Sequence, residues 1–197
     1  MINWLVEWLR NKGRMKRLLM SINKIGIKGF LIHGQEMREV MNIVEPTDVI
    51  LTRAFLETTT ILQGSIFTHA SLKTANLDKI IHAMGLQGVH KADILALMAG
   101  TERICIQRPK IDEGQKKTVL DLAEDYADDN IPYDFNMEFD DKGAMCCSEF
   151  IFWCLSSSLK KLDYIERFGF KTYLPDDIFN DNENFETIYD SGEIIHG

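Results

Sequence analysis

No apolar run in the chain approaches the roughly 18 residues that a bilayer-crossing helix needs, so a transmembrane helix is excluded. Cysteine is scarce, with four in 197 residues and two of them adjacent, so a disulfide framework is excluded as well. There is no Cys-x2-Cys or His-x3-His spacing. A zinc site drawn from His69, His82 and the cysteine pair therefore lacks the usual signature, and no metal is expected. Neither a Gly-rich phosphate loop nor a dinucleotide fingerprint occurs, which leaves no motif for a nucleotide cofactor, and no cofactor is expected. Internal repeats and low-complexity tracts are missing too. So is a leader peptide, and a reducing, cytoplasmic setting is the expectation.

Net positive charge is missing from most of the chain. Arg10, Lys12, Arg14, Lys16, Arg17, Lys24 and Lys28 against Glu7 give residues 1–30 a charge of +6, so the overall −8 leaves −14 on the remainder. An acidic body repels phosphates, which argues against nucleic acid as a partner. In the basic segment Trp4, Leu5, Trp8, Leu9, Met15, Leu18, Leu19 and Ile22 recur at helical spacing. Residues 1–34 are thus expected to form an amphipathic arm, interrupted near Gly13 and ending in the Gly26 to Gly34 break. Two roles are open for it: peripheral contact with an anionic membrane, or packing on its own domain or a second copy.

What is present is chemistry around one cysteine. After the turn-prone Asp140-Asp141-Lys142-Gly143, the chain turns apolar through Met145-Cys146-Cys147 and Phe150-Ile151-Phe152-Trp153-Cys154-Leu155, as a buried helix would. Cys147 then falls in the first turn. The free N–H groups and the positive end of the macrodipole there favour a thiolate and could hold an oxyanion. The bland alternative is that free cysteines are usually inert core residues. Cys105, within Ile104-Cys105-Ile106, and Cys154, in the helix interior, fit it.

A thiol nucleophile needs a base. His69 sits in Phe67-Thr68-His69-Ala70-Ser71-Leu72, which reads as a turn entering a strand. Its imidazole, with an ordinary pKa of about 6.5, can take a thiol proton and return it to a leaving group. His82, in Lys79-Ile80-Ile81-His82-Ala83, could orient that imidazole as the third member of a triad, or simply end a strand. His33, His90 and His196 lie among turn residues or at the terminus and suggest nothing.

These pieces carry a resemblance. Pro46-Thr47-Asp48-Val49-Ile50-Leu51-Thr52-Arg53, Phe67-Thr68-His69-Ala70, Ile81-His82-Ala83 with Gly88-Val89, Arg108-Pro109, Tyr133-Asp134, Cys147-Ser148-Glu149-Phe150 and Leu174-Pro175-Asp176-Asp177-Ile178 occur in one order. Together they resemble the YiiX-like branch of the permuted NlpC/P60 superfamily, the circularly permuted papain-like fold, from about Glu45 to Tyr189. The resemblance implies Cys147 as nucleophile, His69 as general base and His82 as the orienting residue, with the histidine preceding the cysteine in the chain. Thr47 stands where a glycine is usual, and His82 where many relatives carry glutamate. Ser148 and Glu149 set the register on Cys147 rather than Cys146.

The strands expected are Asp48 to Arg53, His69 to Thr74, Lys79 to His82, Arg103 to Arg108 and Glu186 to Tyr189. The helices expected are Gln35 to Asn42, Lys91 to Ala99, and one opened by an Asp112/Gln115 capping box and running to Asp128 on an inner face of Val119, Leu122, Ala123 and Tyr126. Thr58 to Ser65 reads as a polar loop, Lys160 to Phe170 as mixed and Pro175 to Asn184 as a polar turn region. The fold class is α+β: an antiparallel sheet or partial barrel packed against the nucleophile helix, in one domain over residues 35–197. Tyr133 and Asp134 either line a substrate cleft or are turn residues after Pro132. The expected activity is hydrolysis of an amide bond in a peptide, isopeptide or peptidoglycan-derived peptide, through an acyl-enzyme, with a small peptide or acylated substrate as the partner. Alternatives are a lipid acyl hydrolase or acyltransferase on the same pair, and a binding module without catalysis.

Overall fold

The computed structural model describes residue 32 and residues 34–54, 65–135, 139, 142–167 and 169–192. The expected N-terminal arm but for Ile32 and Gly34, and the polar loop but for its last residue, Ser65, lie outside the described residues. The elements run α1 (Gly34–Ile43), β1 (Val49–Ala54), β2 (His69–Lys73), β3 (Lys79–Met84), β4 (Gly88–Asp93), α2 (Ile94–Met98) and β5 (Thr101–Pro109). Then follow α3 (Glu113–Asp128), α4 (Cys147–Leu155), β6 (Ile165–Arg167), β7 (Phe170–Thr172), α5 (Pro175–Asn180) and β8 (Phe185–Asp190).

Six strands form one open antiparallel sheet in the order β4-β3-β2-β1-β5-β8. β1, near its middle, is buried on both faces, which is why Val49-Ile50-Leu51 is a continuous apolar run rather than an alternation. Val49 and Leu51 join Ala70, Leu72, Ile81, Ala83 and Val89 in the larger core, shared with Val119 and Ala123 of α3 and Phe150, Ile151 and Cys154 of α4. Ile50, Ile80, Ile104 and Ile106 point the other way, to Val40 of α1 and Ile94 and Met98 of α2.

The capping box at the start of α3 forms as expected, Asp112 accepting from the Gln115 amide and Gln115 from the Asp112 amide. Val119, Ala123 and Ala127 make its inner face, and Leu122 is only half-buried. Two stretches depart from the sequence reading. Lys91 to Ala99 is not one helix: β4 continues to Asp93, whose side chain accepts from the Leu95 and Ala96 amides and starts the short α2 there. The supposed turn region after Leu174 contains α5, begun by Pro175 at its first position, where the missing N–H costs nothing.

Candidate active site

α4 is apolar on nearly every side because it lies in the core, packed across β2 and β3 and against α3. Cys147 is its first residue and is 8% exposed. Around this helix start the backbone is pinned from three directions. Cys146 donates its amide N–H to Glu149 Oε2 at 2.7 Å, Met145 donates to Pro132 O at 2.9 Å, and Ser148 Oγ donates to Tyr173 O. The segment carrying Tyr133 and Asp134 is thereby tied to the nucleophile helix. Asp134 is buried and close enough for its charge to act on Glu149. Tyr133 packs its ring on Phe135 at 4.9 Å and against the core.

The other thiols differ from Cys147 in their surroundings. Burial pushes Cys105 up to about 12 and raises Cys154 as well. The Cys147 sulfur, followed by burial, raises Cys146 well above the ordinary thiol value. All four cysteines are free.

His69 is the first residue of β2, half-buried, opposite Thr52 of β1. The loop that delivers it is fixed by a residue the sequence reading gave no role, Asp176 of α5, whose two carboxylate oxygens accept from the Ile66 and Phe67 amides at 2.8 Å each. His82 of β3 is 5% exposed and places Nδ1 2.9 Å from His69 Nε2. His69 and His82 are thus brought into direct contact. A third imidazole, set among turn-forming residues in the sequence, belongs to the same group: His90 of β4 lies directly across from His82, Nε2 to Nε2 at 3.2 Å. The signal that could have found it is the strand alternation Val89-His90-Lys91 after a glycine. Burial first, then the neighbouring His69 and His90, push His82 down to about 3. It is therefore neutral at physiological pH.

Residues 44–190 match the model of the permuted papain-like amidase enzymes, the YaeF/YiiX or C92 peptidase family. The chain belongs to this family. Its general reaction class is accordingly amide hydrolysis by a cysteine enzyme. Among solved structures it is similar to that titled metalloprotein yiiX from Escherichia coli O157:H7, with a TM-score of 0.60 at 13% identity over 74% of this chain and 96% of that one. No curated protein matches. The C92 family assignment and that likeness agree on the fold: an antiparallel sheet against a buried helix in permuted order. Among the described residues no helix is long and apolar enough to cross a membrane.

Glu149 has a consequence for stability. Burial, with the charges of Cys146 and Asp134 adding to it, lifts its carboxyl up to about 9 against the pull of the Cys146 N–H. An unfolded glutamate titrates near 4.3, so between there and about 9 the unfolded chain gives up a proton that the native chain keeps. Stability contributed by this residue is complete at acid pH and falls through that window, by at most about 1.4 kcal/mol per pH unit. Glu149→Gln keeps an oxygen for the Cys146 amide and removes the titration. The variant is expected to exceed the wild type in urea midpoint at pH 8.5 and not at pH 4.5. Parallel midpoints at both pH values would show that the carboxyl is ionised in the native state.

Proposed function

We propose that the chain is a thiol hydrolase that cleaves an amide bond in a small peptide or peptide-derived substrate, with Cys147 as nucleophile, His69 as general base and His82 as its orienting partner. What carries this reading is the packing of α4, which begins with Cys147, across β2 and β3, the strands that bear the hydrogen-bonded His69 and His82. His69 and Cys147 are each the first residue of their element. Ala70, Leu72, Ile81 and Ala83 fill the core under α4, so the proposal requires the thiol and the imidazole to meet where helix and strand begin rather than across the sheet face.

In the reaction His69 takes the thiol proton, and the Cys147 sulfur forms a bond to the substrate carbonyl carbon. The C–N bond breaks as His69 returns the proton to the departing amine. Water, deprotonated by His69, then releases the acid and regenerates the thiol. The first turn of α4 lies at the positive end of the helix dipole, which favours the charge that builds on the carbonyl oxygen. Tyr133 and Asp134, tied to the same helix start through Pro132 and Met145, supply the substrate-facing wall. Four free thiols suit a reducing, cytoplasmic setting. No metal enters this scheme. The three imidazoles commit nitrogens to one another, and among the described residues no group of three or more His, Cys, Asp or Glu could hold an ion.

The test is a screen of γ-glutamyl peptides, generic peptide amides and acyl lipids with the wild type beside Cys147→Ala. Amide turnover that is lost in the variant is the expected result. Turnover of acyl esters alone would replace the amidase reading with a lipid one, and turnover equal in both proteins would remove Cys147 from the mechanism.

A further inference from the structure

The three imidazoles form a line across consecutive strands that ends on a backbone carbonyl. His69 Nε2 meets His82 Nδ1 at 2.9 Å, His82 Nε2 meets His90 Nε2 at 3.2 Å, and His90 Nδ1 meets Gly88 O at 3.0 Å. A carbonyl oxygen can only accept, so His90 Nδ1 carries a hydrogen. A neutral imidazole has one N–H, and the rest follows without further choice. His90 Nε2 accepts, His82 Nε2 donates to it, His82 Nδ1 accepts, and His69 Nε2 donates. The remaining nitrogen of His69, Nδ1, is left with its lone pair.

The anchor of this line is rigid. Gly88 has φ +67°, and a Cβ there would sit 2.2 Å from Ile131 O, so the position admits only glycine. Val89 donates to the same Ile131 oxygen at 2.7 Å, which holds the start of β4 against the segment leading to α4. The middle of the line is rigid in another sense. His82 is buried and stays neutral at physiological pH, so it passes the direction of the hydrogen bonds on without storing a proton.

We propose that His90 is a positioning residue of the hydrolase: anchored on Gly88 O and acting through His82, it holds His69 in the Nε2–H tautomer, so that Nδ1 faces the reaction as the proton acceptor. The proposal rests on His69 being the base. It gives a histidine in the third position, with no carboxylate to impose a direction, the polarity that an acidic residue would impose by itself.

The direction of the line can be reversed by chemistry at position 90. Glutamine offers an oxygen to His82 Nε2 and an N–H to Gly88 O, preserving the polarity. Lysine only donates, so it requires His82 to accept at Nε2 and donate from Nδ1, which places the hydrogen of neutral His69 on Nδ1. Imidazole 15N resonances in the full chain carrying Cys147→Ala, at pH 7.5, read the tautomers directly. The expected result is Nε2–H for His69 in this background, Nε2–H again with His90→Gln added, and Nδ1–H with His90→Lys added. With Cys147 intact, iodoacetamide alkylation of that thiol is expected to stay within about threefold of wild type in His90→Gln and to fall about tenfold or more in His90→Lys, a wrong-tautomer effect smaller than that of a direct partner. Nδ1–H for His69 in the Cys147→Ala chain overturns the proposal even if the lysine variant does not fold, as does a tautomer indifferent to His90→Lys. Tautomers that respond as expected, together with an alkylation rate indifferent to His69→Ala, overturn the pairing of Cys147 with His69 and His90's role with it.

Discussion

His69→Ala is expected to lower turnover of a cleavable amide by about 10² to 10⁴-fold and to take with it the rapid alkylation of Cys147 by iodoacetamide at pH 7. The thiolate is the reacting form, and a thiol of ordinary pKa near 8.5 is only a few per cent ionised at that pH. The start of α4 contributes its dipole, but this alone acts within the first turn and is worth about 1 kcal/mol or less when exposed. An imidazole that accepts the proton supplies the rest. In the wild type Cys147 should react first, because burial holds Cys105 and Cys154 in the protonated form and Cys146 is raised by the Cys147 sulfur itself and then by burial. Mass spectrometry of alkylated peptides over time reads all four rates in one experiment. A Cys147 rate that does not change in His69→Ala would separate the two residues, and with them the mechanism.

The parts of this site that could be read from the sequence are those whose chemistry is local. Cys147 announces itself by a turn followed by an apolar helix, and the helix start follows from that pattern. The capping box at Asp112 and Gln115 is likewise a three-residue matter, and it forms as expected. What was not legible depends on strands meeting across the sheet. His90 looks like a turn residue between Gly88 and Lys91, and its role appears only when β3 and β4 pair and set it opposite His82. Asp176 lies more than a hundred residues from the loop whose amides it caps, and nothing in Leu174-Pro175-Asp176 names Ile66 and Phe67 as its partners. The limits of α2 differ from the sequence expectation for a related reason. Residues 91 to 93 are helix-compatible by composition, but ladder pairing with Lys79, Ile80 and Ile81 holds them in β4.

Burial explains why His82 and Glu149 are opposite in their titration although both are buried. Burial removes the charged form in each case, leaving a base without its proton and an acid with it. With Glu149 protonated, one carboxylate charge beside Cys147 is removed at neutral pH. In a medium of low dielectric, a thiolate and an imidazolium stabilise each other more strongly than they would in water.

Arg108→Met is expected to cost about 3 to 5 kcal/mol of folding stability, the largest loss from a single replacement outside the site. Asp48 is fully buried at the start of β1, and Arg108 of β5 meets it with two parallel bonds, Nε to Oδ1 and Nη2 to Oδ2, each 2.8 Å. Nη2 also donates to Ile43 O at the end of α1, and Nη1 lies 3.0 Å from Glu45, so one guanidinium joins α1, β1 and β5. Removing it leaves a buried carboxylate with the Glu45 amide at 2.8 Å as its remaining bond among those described for its side chain. The cost comes from that uncompensated charge rather than from the value of the ion pair. Asp48→Asn in the Arg108→Met background should therefore restore a large part of the loss, because the amide needs no counter-charge. Urea denaturation of the wild type, the two single variants and the double variant measures this as a coupling energy. Additive losses would mean that Arg108 stabilises the fold through its contacts to Ile43 and Glu45 and not through Asp48.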